Sequence, residues 1–548
     1  MESFPQSIFA VLLILTVYTI YRQWTRISVA DVPGPGTESF LLGCLPELLQ
    51  SQVAQADFKW QARFGHVVRV KGILGVQNPP PLRTSAYNAA QSDRLLISDP
   101  KAIQYIYNSG YNIRKQGFRS ELTRVVTGPG LAWANNEIHR RQRKVNSPAF
   151  GTNKARSYVP IFAAYASLST QWKELLAMDV SAVVNTPRWF SRFFLDVIGE
   201  VAFDYQFNAT DDEDDPFAIA LSSAAPGLTV PSKPAIFILT LVELLPPKMI
   251  HLFMEYAPVK ALQNSRRVNR IAVGVAKDLI DEKAEALIAG KGKRDIMSLL
   301  VKANASANPH MNLSETEMLA QMQTIMQAGH ETTANTLSWT MFELTQHPDV
   351  QSKLRTEIQA AERAMHARGA TEFTYVDFEA MPYTVAVMKE TLRFHPVVYS
   401  SVREAARDEV LPLSTPIVTK SGKTITELPI PKDMILVILN AGYNRLDAQV
   451  FNPEHWLDDT VQMTTSIGVY GNLMTFGSGH RACIGWRFAI YEYQAFLVEL
   501  VKNFEFSMDP SLSDKVRREP GVVMMPKISG ELMKGPQLPI TIRAVEAL

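Results

Sequence analysis

Phe476-Gly477-Ser478-Gly479-His480-Arg481-Ala482-Cys483-Ile484-Gly485 is the stretch on which the reading of this chain turns. Its glycines permit a tight loop that brings backbone close to a flat ligand. Phe488, Tyr491, Phe496, Leu497 and Leu500 follow at helical spacing, which puts Cys483 just before or at a helix N-terminus. Unpaired amides and the positive end of the helix dipole lower the cost of a thiolate there, and such a sulfur binds iron. A lone cysteine is more often a small buried apolar side chain, so the surroundings of Cys483 must decide.

Upstream, Ser314-Glu315-Thr316-Glu317 is a capping box flanked by a Leu313–Met318 staple, and a helix is expected to start there. His347-Pro348 is its natural stop, giving about 30 residues and on the order of 45 Å. Inside it lies Ala328-Gly329-His330-Glu331-Thr332-Thr333. A glycine and two β-branched threonines are poor helix formers, and a threonine can bond back to the carbonyl four residues earlier, so a local opening is expected. Strand-like pieces occur near His66 to Gly72 and Met434 to Asn440.

Two cysteines in 548 residues leave no disulfide framework and no Cys-x-x-Cys metal site. A net charge of +1 supplies no field for gathering nucleic acid, which is not expected as a partner. Ser3 to Tyr21 is uncharged and apolar, about the length that crosses a bilayer as a helix. Arg22 and Arg26 beyond it favour a cytoplasmic body, and Glu2 before it argues against a cleaved signal. The expected organisation is an anchor over 1–26, a Pro/Gly hinge over 27–37 containing Val32-Pro33-Gly34-Pro35-Gly36, and one large domain over 38–548. Asp211 to Asp215 reads as a solvated acidic loop, and Ala235 to Leu245 is too short to span a membrane and reads by default as core, with a pocket lining or a membrane-surface contact as the alternatives.

The glycine-rich stretch resembles the haem-binding loop of the cytochrome P450 family, Phe-x-x-Gly-x-Arg-x-Cys-x-Gly, at every fixed position from Phe476. The resemblance implies haem b with Cys483 as axial thiolate and Arg481 on a propionate. It also implies a mainly α fold with a smaller β portion. Ala328 to Thr333 matches the family segment over the iron, with Thr332 and Glu331 as the alcohol and acid that deliver protons to dioxygen. His139 and Arg143, on one helical face, and Arg403 resemble further propionate partners. Glu390-Thr391-Leu392-Arg393 looks like the family's Glu-x-x-Arg, with His455 in Pro453-Glu454-His455-Trp456 standing where an arginine is usual.

The function implied by the resemblance is that of a haem-thiolate monooxygenase, inserting one atom of dioxygen into an apolar organic substrate, a secondary metabolite or xenobiotic. Its electrons come from NADPH through a separate reductase, since no Gly-x-Gly-x-x-Gly between strand and helix and no flavin-like domain is found. Its expected place is the endoplasmic reticulum membrane, single-pass and facing the cytoplasm. Val397 and Val398 after Pro396 suit an apolar ligand, and the segment Asp196 to Phe203 looks most like fungal members. Two alternatives stand beside this reading: a peroxide isomerase or dehydratase, against which the intact Glu331-Thr332 pair argues, and a haem sensor or electron carrier, which needs no substrate cavity.

Overall fold

The computed structural model describes residues 27–37, 39–73, 93–167, 171–177, 179–210, 231–243, 245–289, 295–306, 312–446, 449–457 and 466–545. The expected anchor and the acidic run Asp211 to Asp215 lie outside them. No helix among the described residues is long and apolar enough to cross a membrane. The chain divides into two compact units.

The first unit comprises Met1–Arg119, Pro231–Phe253 and Ser400–Gly442. Its five-stranded sheet runs in the order Val67–Val70, Arg94–Ile97, Ile435–Leu439, Ser400–Ala405, Ile113–Lys115. Both strand-like segments of the sequence are therefore strands. Leu436, Ile438 and Leu439 are buried because their strand is central, with a parallel neighbour on one side and an antiparallel one on the other. The Pro/Gly segment expected as a hinge is fastened to this unit. The Arg69 amide donates to the Pro33 carbonyl at 2.9 Å, and Asp31 accepts from the Ser421 amide at 2.9 Å. Gly34 makes the approach possible, since a Cβ there would sit 1.9 Å from the Arg69 carbonyl oxygen. The segment expected as core forms helix Lys233–Glu243, which is core on one face only: Ile236, Thr240 and Val242 are buried, while Ile238, Leu239 and Leu241 are exposed.

The second unit comprises Ser120–Val230, Met254–Tyr399 and Tyr443–Leu548. Seven of its helices position the site: α1 (Asn136–Asn146), α2 (Val159–Ser167), α3 (Thr186–Ile198), α4 (Lys260–Ile288), α5 (Glu315–Gln346), α6 (Pro382–Phe394) and α7 (Trp486–Asn503). The capping box forms as read: the Ser314 hydroxyl accepts from the Glu317 amide at 3.3 Å and Glu317 accepts from the Ser314 amide at 2.9 Å. From that start α5 runs 32 residues, about 48 Å, until Pro348 begins the next helix. Its buried residues fall on every side from Met318 to Leu344, so it runs through the interior.

Helix α3 packs along α5 at Gly329, where a Cβ would sit 2.7 Å from the Ile198 side chain. Aromatic residues tie α3 and α2 to α7, with the Phe194–Phe496 centroids 4.5 Å apart and Phe162–Phe488 at 4.9 Å. Full burial of such a ring is worth about 1.5–3 kcal/mol over its exposed state.

Candidate active site

Strand Leu473–Ser478 enters a 3-10 turn, Gly479–Arg481, and α7 begins just beyond, at Trp486. Gly477 and Gly479 take φ of +67° and +56°, left-handed values that a side chain would strain. The Cys483 amide donates to the Phe476 carbonyl at 2.7 Å and closes the loop. Asn444 fixes the strand that feeds it: its Oδ1 accepts from the Met474 amide at 2.8 Å and its Nδ2 donates to Thr475 Oγ1 at 2.9 Å. Thr475 in turn donates to the Leu392 carbonyl at 2.6 Å, so the loop is indexed to the end of α6. Nothing in the sequence singled out Asn444 or Thr475, because their partners are distant along the chain.

Burial pushes the Cys483 thiol above its ordinary value, against the Gly485 amide and the positive charge of Arg143. Desolvation thus outweighs the helix-end effect expected from the sequence. A bound metal cation is what removes such a proton.

Three of the expected propionate partners gather at this loop. Arg143 Nη1 donates to the carbonyl of Ala482, next to the cysteine, at 2.8 Å. Arg481 donates to the Ala134 carbonyl at 2.8 Å and to Asn135 Oδ1 at 2.7 Å. His139 is buried and stands edge-on to His480, with centroids 5.9 Å apart. Arg403 belongs to the first unit, on strand Ser400–Ala405, with its guanidinium 5.3 Å over the ring of Tyr107.

A cavity with about 1020 Å³ of space free of protein atoms, open solvent included, is walled by Cys483, Phe476, Thr332, Val397, Val398, Ile198 and mainly apolar neighbours. Among the described residues no three His, Cys, Asp or Glu side chains cluster to hold a bare ion. One sulfur donor in a roomy apolar cavity suits a metal that brings its remaining ligands in a macrocycle, and the donor set fits haem.

Above the same cavity, α5 stays helical through Gly329 to Thr333, so the expected local opening is absent. The Thr332 hydroxyl donates to the Ala328 carbonyl at 2.7 Å while the helix continues through that turn. Thr332 lines the cavity, whereas Glu331 is not among its walls. Glu331 accepts instead from Ser191 of α3 at 2.8 Å and from Asn335 at 3.0 Å.

Glu390 and Arg393 form a buried bidentate pair at 2.8 and 2.7 Å. The Asn452 amide at 2.7 Å and the Trp456 indole at 3.0 Å occupy the remaining lone pairs of the carboxylate. The third side chain on Glu390 is therefore Trp456, one residue past His455, to which the family pattern had drawn attention. An indole N–H is a donor like an arginine's, and that equivalence was the missed signal.

A profile of the cytochrome P450 family matches residues 87–532. The chain is 32% identical over 513 residues to cytochrome P450 monooxygenase 91 of Postia placenta, covering 89% of this chain and 90% of that protein. It is 29% identical over 566 residues to cytochrome P450 monooxygenase claQ of Ampulloclitocybe clavipes, covering 98% and 97%. Cytochrome P450 monooxygenase claO of the same fungus is 30% identical over 565 residues, covering 99% and 98%. With a cysteine loop, a central helix and a cavity between them already in place, these matches leave one assignment: the chain belongs to the cytochrome P450 family of monooxygenases.

Proposed function

We propose that Cys483 is the sulfur ligand of a haem b iron and that the chain inserts one atom of dioxygen into an apolar organic substrate, a secondary metabolite or xenobiotic. The carrying observation is that Cys483 and Thr332 wall the same cavity. When bound, the haem supplies dioxygen activation, favoured by electron density from the thiolate. Arg481, His139 and Arg143, gathered at the Cys483 loop, would hold its propionates, and Phe476 packs in the loop. Val397, Val398 and Ile198 exclude water and favour an apolar ligand. Thr332 orients water in the cavity and Glu331 brings protons to it. Electrons come from NADPH through a separate reductase. Ser3 to Tyr21 anchors the chain in the endoplasmic reticulum membrane, with the body on the cytoplasmic side.

Cys483→Ser tests the centre of this reading. The far-ultraviolet circular dichroism should stay that of the parent, while the strongly red-shifted Soret band of the ferrous carbonyl form disappears. Survival of that band in a folded variant would remove Cys483 from the iron.

A further inference from the structure

Helix α5 brings every fourth residue to the cavity wall, Thr324, Ala328, Thr332 and Thr336, and all but the alanine carry hydroxyls. Each hydroxyl spends its one hydrogen on its own helix. Thr324 donates to the Ala320 carbonyl at 2.8 Å, Thr332 to that of Ala328 at 2.7 Å and Thr336 to that of Thr332 at 2.8 Å. A threonine whose hydrogen is taken can only accept.

The other polar walls are committed in the same way. Thr475 gives its hydrogen to the Leu392 carbonyl. Thr340 gives its own to the Thr336 carbonyl at 3.0 Å, so in its 2.7 Å contact with Tyr493 the tyrosine is the donor. Thr333 lies beside Glu492 of α7, whose buried carboxyl oxygens otherwise lack a donor among the described residues and so draw its hydrogen. No Lys, Arg, His, Asp or Glu side chain is among the described walls. The cavity therefore offers a ligand acceptor oxygens, but no hydroxyl hydrogen and no counter-charge.

Of the three acceptors on α5, Thr336 is buried and Thr332 is occupied with water in the proposed chemistry. Thr324 is half-buried and has no part in that chemistry. The chain also keeps its oxygen open: a Cβ on Gly130 would sit 2.8 Å from Thr324 Oγ1, so any side chain there would cover it. Eight residues separate Thr324 from Thr332, about 12 Å along the helix axis.

We propose that Thr324 is a specificity-determining acceptor, and that the cavity takes a neutral, apolar alcohol or phenol whose hydroxyl donates to Thr324 while the carbon to be oxidised lies about 12 Å away along α5. The proposal rests on the reading of this cavity as the substrate site. An alcohol supplies the hydrogen that the wall lacks. An ether or ketone would bring lone pairs against lone pairs and leave its own oxygen dry. A carboxylate would be buried without a cation.

The test titrates the full-length holoenzyme, in detergent micelles, with decanol, nonyl methyl ether and decanoate, which match in chain length and differ at one end. Calorimetry reads binding and the Soret band reads approach to the iron. Decanol should bind about five- to tenfold more tightly than the ether, the worth of one neutral hydrogen bond. Thr324→Ser keeps the oxygen and should keep that ratio. Thr324→Val keeps the branched shape and removes the acceptor, so the ratio should fall to within about twofold while the ether binds as in the parent. An alcohol preference that survives in Thr324→Val would overturn the proposal, as would a parent that fails to bind decanol or binds decanoate as tightly. The underlying reading fails separately: binding heat without any Soret shift, and with the preference still lost in Thr324→Val, would keep Thr324 as the acceptor but remove the iron from its cavity.

Discussion

Two glutamates, both on buried helices, are held in opposite ways. Glu390 is wholly buried, and four donors occupy its carboxylate: two nitrogens of Arg393, the Asn452 amide and the Trp456 indole. Glu331 has a hydroxyl, an amide and a histidine nitrogen at 3.5 Å, and more than a quarter of its side chain meets solvent. A saturated carboxylate has nowhere to move and no reason to change its proton. One held by neutral groups and a histidine can do both at small cost. Satisfaction of hydrogen-bonding capacity, more than depth of burial, separates the fixed acid from the one proposed to bring protons to the cavity.

Breaking the saturated site should have the largest effect. Glu390→Ala leaves the Arg393 guanidinium buried without its carboxylate, still donating to the Val450 and Asn444 carbonyls, and loss of one partner of such a pair costs about 3–5 kcal/mol. Because α6 indexes the Cys483 strand through Leu392, Thr475 and Asn444, haem content should fall with stability. Trp456→Phe keeps the ring and removes one donor, so its cost should be nearer 1 kcal/mol. Urea unfolding with haem quantitation checks both. A Glu390→Ala protein as stable as the parent would end the distinction between the two glutamates.

The same contrast explains what was legible in the sequence. Local rules found Ser314, His347-Pro348 and the Cys483 loop, because a capping box, a helix stop and a glycine-rich turn are each written within a few neighbouring residues. The family pattern supplied Glu390 and Arg393 but led to His455 and past Trp456. The position of Glu331 could not be read at all, since it depends on Ser191, 140 residues away on another helix. The Pro33-Gly34 segment was legible only in part for a similar reason: its torsions do break a helix, but the Arg69 backbone that Gly34 admits is invisible from the segment itself.

A third carboxylate sharpens the comparison through pH. Glu343 on α5 lies 2.5 Å from Nε2 of buried His395, whose ring stacks on Trp339 at 4.5 Å. Burial holds His395 down to about 4, against the pull of Glu343. Its folded value is below the unfolded one, so the unfolded chain takes up a proton first on acidification. The stability it contributes is complete above about pH 6.5 and is lost as pH falls toward about 4. Glu343 is held at about 2: burial pushes it up, and hydrogen bonds from His347 and His395 outweigh that, so its own contribution is lost only below about pH 4.5. His347 is raised, chiefly by its hydrogen bond to Glu343, and loses its contribution only as pH rises above about 6.5. Between pH 6.5 and 4 the expected loss from His395 is at most about 3 kcal/mol. Denaturation at stepped pH should show this slope, and His395→Asn should flatten it. A slope unchanged in that variant would assign the acid sensitivity elsewhere.

The smallest effect belongs to Ser191, and it separates two meanings of a loosely held acid. In Ser191→Ala, Glu331 keeps Asn335 and His330 and stays near solvent, so the folded state should lose no more than about 1 kcal/mol. Urea unfolding measures this directly, without substrate or turnover. A loss well beyond that figure would mean that Ser191 fastens α3 to α5 through Glu331, and the acid would then be a fixed member of the core like Glu390 and not a loosely held one.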